Sequence, residues 1–245
     1  MRFDPDLISA LRNARHVVVL TGSGTSAESG IPTFREAQTG LWEMYRPEDL
    51  ATPDAFERNP QLVLNWYAWR RELVSSAEPN EAHRAIAKLE KLTNKLTLIT
   101  QNVDGLHQRA GSTDVIEFHG SVLRSRCSEG HKTESLPDSS EAQPRCELCD
   151  SLLRPDVVWF GESIPEEALA RSFKAIEDCD VFLAVGTSAE VQPAASLATM
   201  AQHHGAVLVE VNPSATPLTD TADYALAGSS GTILPELITA LEQHV

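Results

Sequence analysis

A run of small and hydroxyl-bearing residues follows an apolar stretch near the start of the chain. Residues 17–36 read VVVLTGSGTSAESGIPTFRE. From Gly22 to Ala27 the spacing is G-x-G-x-x-A. Glycines at this spacing after a strand let backbone N–H groups approach a pyrophosphate at a helix start. Taken alone, the same pattern also fits a tight turn without a ligand.

Hydride-transfer enzymes with this glycine pattern carry a further feature, an acidic residue at the end of a second strand about 20 residues on. Residues 38–47, QTGLWEMYRP, show no such strand. The sequence therefore fits a dinucleotide ligand but not an ordinary nicotinamide dehydrogenase.

The elements that must position these residues are short apolar runs rich in β-branched residues. They are predicted as strands at residues 16–22, 96–102, 115–120, 181–188 and 206–212. Helical patterns lie between or after them, at residues 81–92, 166–179, 193–205 and about 232–244. This alternation predicts an α/β, Rossmann-like fold, a mainly parallel sheet with helices on both faces. Ligands bind at the carboxyl ends of such strands, where TGSGTSAESG, QNVDGLH, HGS, GTS and NPS are found.

Two segments do not fit this alternation. We expect residues 38–80, a helical module, and residues 121–155, a cysteine-containing module, to form a small inserted domain. Residues 1–37, 81–120 and 156–245 are then the Rossmann-like dinucleotide-binding domain.

Composition limits the classes of partner. The net charge of −15, from 20 basic and 35 acidic residues, argues against nucleic acid as the main ligand. It is compatible with a basic peptide partner, and equally with a role in solubility alone. No apolar run reaches about 18 residues, and the acid-containing start MRFDPDLISALRNA favours an amphipathic helix over a signal peptide. We therefore expect a cytoplasmic protein without a membrane partner, whose cysteines are thiols or metal ligands.

Six motifs, taken together and in order, resemble one known family. They are GSGTSAESGIPTFR, TQNVDGLH, EFHGS, LRPDVVWFGE, VGTS and VNPS. The chain resembles the sirtuins, NAD-dependent protein-lysine deacylases, and in particular their class III, bacterial-type branch, from about residue 10 to 240. The resemblance implies a Rossmann-type domain with a small zinc-and-helix domain. It also implies a reaction that cleaves NAD and passes an acyl group from lysine to ADP-ribose, giving nicotinamide, free lysine and O-acyl-ADP-ribose.

The resemblance also implies which residues contact NAD. Contacts to pyrophosphate and ribose are implied for Gly22, Ser23, Gly24, Ser26, Gly186, Thr187 and Ser188. Contacts to the adenosine are implied for Asn212, Pro213, Ser214 and Ser230. The nicotinamide pocket would be lined by Gln101, Asn102 and Asp104, with an apolar wall of Ala27, Ile31, Pro32 and Phe34. Glu28, Val103 and Arg35 complete the cofactor set.

The resemblance assigns catalysis to His119, with Asn102 as the second catalytic residue. An imidazole titrates near neutral pH, so His119 suits the removal of a proton from a ribose hydroxyl. A lone histidine is usually structural or merely exposed, and the neighbouring motifs are what favour the catalytic role.

The segment 157–162, VVWFGE, looks like the family's clamp for acyl-lysine. An extended peptide would pair with its backbone as an added strand. The substrate contacts implied are Val158, Trp159, Phe160, Gly161 and Glu162. The alternative is an ordinary buried strand.

Tyr67 and Arg70 are three residues apart, a spacing that places both on one face of a helix. A phenol and a guanidinium together suit a carboxylate, and in class III sirtuins this pair is associated with succinyl- and malonyl-lysine. The alternative is that Tyr67 packs in the core and Arg70 is solvated.

The family's zinc site, which uses two Cys-x-x-Cys pairs, is incomplete here. Cys146 and Cys149 form the second pair, but Gly130 stands three residues after Cys127. Either His131 completes a Cys₃His set, or the small domain has lost its metal and is held by packing.

Two rival functions share the same cofactor pocket. One is a mono-ADP-ribosyltransferase, and the other is a non-catalytic NAD- or ADP-ribose-binding module. The intact clamp motif and the Tyr67/Arg70 pair favour deacylation over the first, and His119 and Asn102 argue against the second.

Overall fold

The secondary structure comes from a computed structural model that describes residues 3–32, 45–133 and 144–243. The strands are β1 (Val17–Thr21), β2 (Leu96–Thr100), β3 (Val115–Glu117), β4 (Gly120–Cys127), β5 (Lys132–Thr133), β6 (Leu153–Val157), β7 (Val181–Val185), β8 (Val207–Asn212) and β9 (Tyr224–Ala227). The helices are α1 (Pro5–Asn13), α2 (Gly24–Ala27), α3 (Pro47–Leu50), α4 (Pro53–Arg58), α5 (Pro60–Ser76), α6 (Glu81–Leu92), α7 (Leu106–Ala110), α8 (Glu166–Glu177), α9 (Ala194–His203) and α10 (Ser230–Gln243). Among the helices described, none is both long and apolar enough to cross a bilayer.

The main sheet has six parallel strands in the order β3-β2-β1-β7-β8-β9. All five strands predicted from the sequence lie in it, which confirms the Rossmann-like parallel sheet. The order reverses at β1, whose neighbours are β2 and β7. In open α/β sheets the ligand crevice lies at the carboxyl ends of the strands, at such a reversal.

Helices cover both faces of this sheet, because successive side chains of a strand point to opposite faces. Val17 and Val19 pack in a cluster with α1, α6 and α10. Val18 and Leu20 pack on the other side with α8 and α9. Every residue of β1 is therefore buried, which fixes the position of the loop that follows it.

The helices α3, α4 and α5 and a small second sheet lie beside the carboxyl ends of the main sheet. Helices α3, α4 and α5 pack around the fully buried Trp66, together with residues from β4 and β6. β4, β5 and β6 form a small antiparallel sheet in the order β5-β4-β6. The helical character expected of segment 38–80 is found from residue 47 onward. The division of the chain into two domains stays a prediction.

Candidate active site

The loops after β1 and β7 meet through direct backbone contacts. The N–H of Gly22 donates to the carbonyl of Val185 at 3.0 Å, and the N–H of Gly24 donates to the carbonyl of Gly186 at 2.9 Å. A Cβ on Gly186, where φ is +57°, would lie 2.5 Å from the nitrogen of Thr25. Glycine is needed here because the two strand ends touch. The N–H groups of Gly22 and Gly24 are thus used within the protein.

Residues at the carboxyl ends of three strands of the main sheet, β2, β7 and β8, form a connected row. The amide of Gln101, after β2, donates to the Thr187 hydroxyl at 3.0 Å. The amide of Asn212, at the end of β8, donates to the Thr187 carbonyl at 2.7 Å. Ser188, Pro213 and Ser214 follow these positions and are exposed. The predicted ribose and adenosine residues therefore share one edge of the sheet.

The hydroxyl of Ser26 joins the β1 loop to the β2 loop. It donates to the Asp104 carboxylate at 2.7 Å and accepts from the Asn102 amide at 3.0 Å. Asp104 also accepts the N–H of Leu106 at 2.9 Å. All three polar side chains are buried, and burial raises the pKa of Asp104 despite these hydrogen bonds. Two of the residues expected to recognise the nicotinamide, Asn102 and Asp104, are thus brought together and held in place.

Two buried histidines support this arrangement, and the sequence reasoning gave neither of them a role. The Nε2 atom of His83 lies 3.3 Å from the Ser26 hydroxyl, and its Nδ1 atom accepts the N–H of Asn80 at 3.2 Å. Burial lowers the pKa of His83 to about 4, so the ring is neutral. His107 packs edge-on against it, with ring centroids 4.7 Å apart, and bonds the Thr21 hydroxyl at 2.9 Å. The one available signal was the Asn80-x-x-His83 spacing, which here forms a helix capping box.

The other predicted cofactor residues occupy different settings. Ile31 is buried and Pro32 half-buried, and both line a small cavity with Arg70. The Glu28 carboxylate accepts the N–H of Gly231 at 2.8 Å, near the start of α10. Of the remaining residues, Ala27 is exposed, Val103 half-buried and Ser230 buried. Phe34 and Arg35 lie outside the described residues.

His119 lies beside the same β2 loop. Its Nδ1 atom is 3.2 Å from the Gln101 carbonyl, which accepts only, so the proton is on Nδ1 and Nε2 carries the free lone pair. Burial lowers the pKa of His119, which keeps the ring neutral. The next residue, Gly120, has φ of +78°, and its Cβ would lie 2.1 Å from the Asp156 carbonyl. The close approach of β4 and β6 thus brings the clamp segment against the histidine, and the N–H of Val158 donates to the His119 carbonyl at 3.0 Å.

The clamp segment uses its backbone N–H groups within the protein. The N–H of Phe160 donates to Ala51, and that of Trp159 to the Glu162 carboxylate at 2.8 Å. With the N–H of Val158 also taken, strand addition by these three N–H groups is not available. Trp159 is 2% exposed and packs in the core, whereas Val158 is half-buried and Phe160 is 50% exposed. These last two side chains are the ones accessible to a ligand.

Glu162, predicted as a substrate contact, is paired within the protein instead. Its carboxylate accepts two hydrogen bonds from Arg154, at 2.5 and 2.9 Å, and one from Arg126 at 3.1 Å. These interactions lower the pKa of Glu162, against the opposing effect of its burial. Gly161, at φ of +87°, allows the tight turn that returns Glu162 to the backbone of Trp159.

Tyr67 and Arg70 lie on α5, with Tyr67 buried in the core and Arg70 half-buried. The Tyr67 hydroxyl accepts the indole N–H of Trp159 at 2.9 Å, and burial raises the pKa of Tyr67 to about 12. Burial lowers the pKa of Arg70, while the nearby Asp104 carboxylate opposes that shift. Tyr67 thus packs in the core, as the alternative expected, whereas Arg70 is half-buried rather than fully solvated. The role of the pair in substrate recognition stays a prediction.

Cys127, His131, Cys146 and Cys149 meet beyond β4. Their ligand atoms all lie within 4.8 Å of one another. The Nδ1 atom of His131 is 3.3 Å from the sulfur of Cys127 and 3.9 Å from that of Cys146, and the sulfurs of Cys149 and Cys127 are 3.8 Å apart. Tetrahedral zinc holds such atoms about 3.5–3.8 Å apart. Hydrogen bonds from Ser151 lower the pKa of the Cys149 thiol to about 6, which favours the metal-binding thiolate. The four residues fit a structural zinc ion.

Comparison with known proteins gives one consistent family. A model of the Sir2 family matches residues 22–193. NAD-dependent protein deacylase 1 of Archaeoglobus fulgidus is 50% identical over 238 residues, which is 96% of this chain and 96% of that protein. An NAD-dependent protein deacylase of Methylococcus capsulatus is 48% identical over 252 residues, 99% of each chain.

Solved structures agree with this result. A complex of a Sir2 homologue with NAD has a TM-score of 0.93 and 48% identity, over 99% of this chain and 95% of the other. A Sir2 protein with a deacetylated p53 peptide and 3′-O-acetyl ADP-ribose has a TM-score of 0.84 and 33% identity, over 96% of this chain and 97% of the other.

Proposed function

This chain belongs to the Sir2 family, and we propose that it acts on proteins as an NAD-dependent protein deacylase. The relatives that carry this name match nearly the whole chain, so the assignment does not depend on one shared motif. In the proposed reaction, NAD, acyl-lysine and water give nicotinamide, lysine and O-acyl-ADP-ribose.

One observation carries the proposal. Two consecutive residues of the β2 loop, Gln101 and Asn102, connect the proposed base His119 to the groups proposed to recognise the nicotinamide amide. The Gln101 carbonyl accepts from His119, and the adjacent Asn102 bonds the Ser26 hydroxyl that also holds Asp104. A carboxamide needs both a donor and an acceptor, and Asn102 with Asp104 supplies them in a buried site. Nicotinamide recognition and proton removal are then fixed relative to each other by one loop.

We assign the rest of NAD to the sheet edge beside that loop. Gln101, Thr187 and Asn212 form the connected row, and the exposed Ser23 and Ser188 flank the two touching strand ends. Hydroxyls and backbone dipoles of this kind bind phosphate and ribose without a fixed cation. The co-substrate supplies the reactive bond between ribose and nicotinamide.

His119 is the proposed general base. Its neutral ring has Nδ1–H committed to Gln101, so Nε2 accepts the proton of a ribose hydroxyl. The ribose oxygen so freed bonds to the acyl carbon, and the bond from that carbon to the lysine nitrogen breaks as the amine takes up a proton. The nicotinamide–ribose bond also breaks, releasing nicotinamide, and water balances the reaction to O-acyl-ADP-ribose. Burial of the ring keeps it unprotonated, so the base is ready at neutral pH.

The acyl-lysine side is proposed from the clamp and from α5. Val158, whose N–H bonds the His119 carbonyl, and the nearby Phe160 offer accessible apolar surface, which suits the lysine stem. Tyr67 and Arg70 suit the carboxylate of a succinyl or malonyl group, because an O–H donor and a guanidinium lie together near Asp104. The pair need not exclude the smaller acetyl group, so acetyl-lysine is proposed as a substrate as well.

The experiment is a product balance on an acetylated peptide with NAD, by liquid chromatography and mass spectrometry. The wild type is expected to release nicotinamide and deacetylated peptide in equal amounts. His119→Gln retains an amide that donates to the Gln101 carbonyl but has no basic nitrogen, and we expect a loss of at least about 100-fold in deacetylation. Unchanged deacetylation in this variant would remove the base assignment. ADP-ribosylated peptide in place of deacetylated peptide would replace the proposed function.

A further inference from the structure

The indole of Trp159 joins the clamp segment to the phenol of Tyr67. The indole nitrogen lies 2.9 Å from the Tyr67 hydroxyl, and their ring centroids are 6.3 Å apart. Both residues are 2% exposed. An indole N–H is a donor only, so the phenol oxygen must accept. Since burial raises the pKa of Tyr67 to about 12, the phenol keeps its own proton to donate elsewhere.

Trp159 is itself held on one ring face and at its backbone. The guanidinium carbon of Arg154 lies 3.3 Å from the indole ring centroid. Arg154 also pairs with Glu162, which accepts the backbone N–H of Trp159 at 2.8 Å. A desolvated cation over an indole face is among the stronger side-chain contacts. The indole is therefore fixed, and its N–H fixes the Tyr67 oxygen in turn.

We propose that Trp159 is a positioning residue that sets acyl-group selectivity through Tyr67. This inference rests on the proposed recognition of a succinyl or malonyl carboxylate by Tyr67 and Arg70. With the indole N–H on one side of the phenol oxygen, the O–H of Tyr67 is turned away from Trp159. A hydroxyl already oriented binds a carboxylate without the ordering cost of a free rotor. An acetyl group has no carboxylate and does not benefit.

The test is Trp159→Phe, which keeps an aromatic ring and removes the N–H donor. Steady-state KM and kcat are measured on succinylated and acetylated forms of one peptide. We expect KM for the succinylated peptide to rise about 3- to 10-fold, the effect of one hydrogen bond, with KM for the acetylated peptide within about 2-fold. The matched control is Phe56→Leu, because Phe56 packs on the same indole at 5.3 Å between centroids and carries no polar group. The control is expected to leave the ratio of the two KM values unchanged.

A double-mutant cycle separates the hydrogen bond from general packing damage. In a Tyr67→Phe background the acceptor is gone, so Trp159→Phe is expected to produce no further change in the KM ratio. The positioning role would be overturned if Trp159→Phe raised KM equally for both peptides. It would also be overturned if Trp159→Phe changed the KM ratio as much in the Tyr67→Phe background as in the wild type. Absence of desuccinylation in the wild type would instead refute the carboxylate proposal beneath it.

A second variant covers the case in which Trp159→Phe does not fold, as checked by thermal melting. Arg154→Lys keeps the charge but loses the planar stack on the indole and the two-point pairing with Glu162. It is expected to move the KM ratio in the same direction by about 2- to 5-fold. No change of the ratio in a folded Arg154→Lys protein would count against the proposal.

Discussion

Replacing Arg70 by methionine tests acyl-group recognition with little change in side-chain volume. Arg70 is half-buried on α5, with its guanidinium carbon 5.0 Å from the Trp66 ring centroid. A hydrogen bond to a charged group contributes about 1.5–3 kcal/mol. Loss of the guanidinium should therefore lower kcat/KM for a succinylated peptide by about 10- to 150-fold.

The same substitution has one effect that both substrates share. The charge of Arg70 holds down the pKa of Asp104, which burial raises, so Arg70→Met raises that pKa further. Because Asp104 is assigned to the nicotinamide side, this effect lowers activity on every acyl group alike. The ratio of kcat/KM values for succinylated and acetylated peptide isolates the carboxylate contact.

The assay is competition between succinylated and acetylated versions of one peptide, with product quantified by mass spectrometry. Arg71→Met is the matched control, since it makes the same change one residue along α5 and so on another side of the helix. We expect the ratio to fall in Arg70→Met and to stay at the wild-type value in Arg71→Met. Equal losses on both peptides in Arg70→Met would refute the reasoning.

Three further predictions concern the base, the backbone and the metal. Burial lowers the pKa of His119 below 6.5, and the neutral ring is the base. We therefore expect kcat/KM for acetylated peptide to be constant above pH 6.5 and to fall only at lower pH, as the ring becomes protonated. A fall in kcat/KM that begins at or above pH 6.5 would contradict this. Gly120→Ala should lower the free energy of unfolding, measured in urea, by more than about 3 kcal/mol, because strain at positive φ adds to a clash with Asp156. The control is Gly205→Ala, at φ of +93° with open space around it, which should lower it by about 1–2 kcal/mol. Treatment with a chelator should remove about one zinc ion per chain and lower Tm by about 5 °C or more. His131→Ala should weaken zinc retention. A purified protein that contains no zinc and whose Tm is unaffected by chelator would refute the site.

The main sheet was predictable because its strands are buried on both faces, so that runs such as Val17–Thr21 carry a local signal. β9 was missed because it is a short edge strand whose residues alternate between half-buried and exposed, so it has no buried apolar run. β4 and β6 were missed because they carry arginines, which ordinarily signal exposed loops. In the fold those arginines pair with acids, for example Arg124 with Glu117 at 2.6 Å and Asp156 at 3.3 Å. These two pairings join residues 7 and 32 positions apart and leave no periodic pattern in the sequence.

The candidate site was predictable where motifs mark it and not where tertiary contacts define it. Ser26, Asn102 and Asp104 were singled out, and the structure joins them through one hydroxyl. His83 was not, since its contact with Ser26 spans 57 residues of sequence. Motif membership also did not indicate that the carboxylate of Glu162 pairs with Arg154. A motif indicates that residues act together, but not which of them faces the ligand.

The most direct test of the central claim is the fate of the acyl group. Acetylated peptide carrying a ¹³C-labelled acetyl carbon is incubated with NAD and the wild-type protein, and the small-molecule products are resolved by mass spectrometry. Transfer to a ribose oxygen predicts label in O-acetyl-ADP-ribose, in an amount equal to the nicotinamide released and greatly reduced in His119→Gln. Label appearing from the outset as free acetate, with unmodified ADP-ribose beside it, would contradict the account.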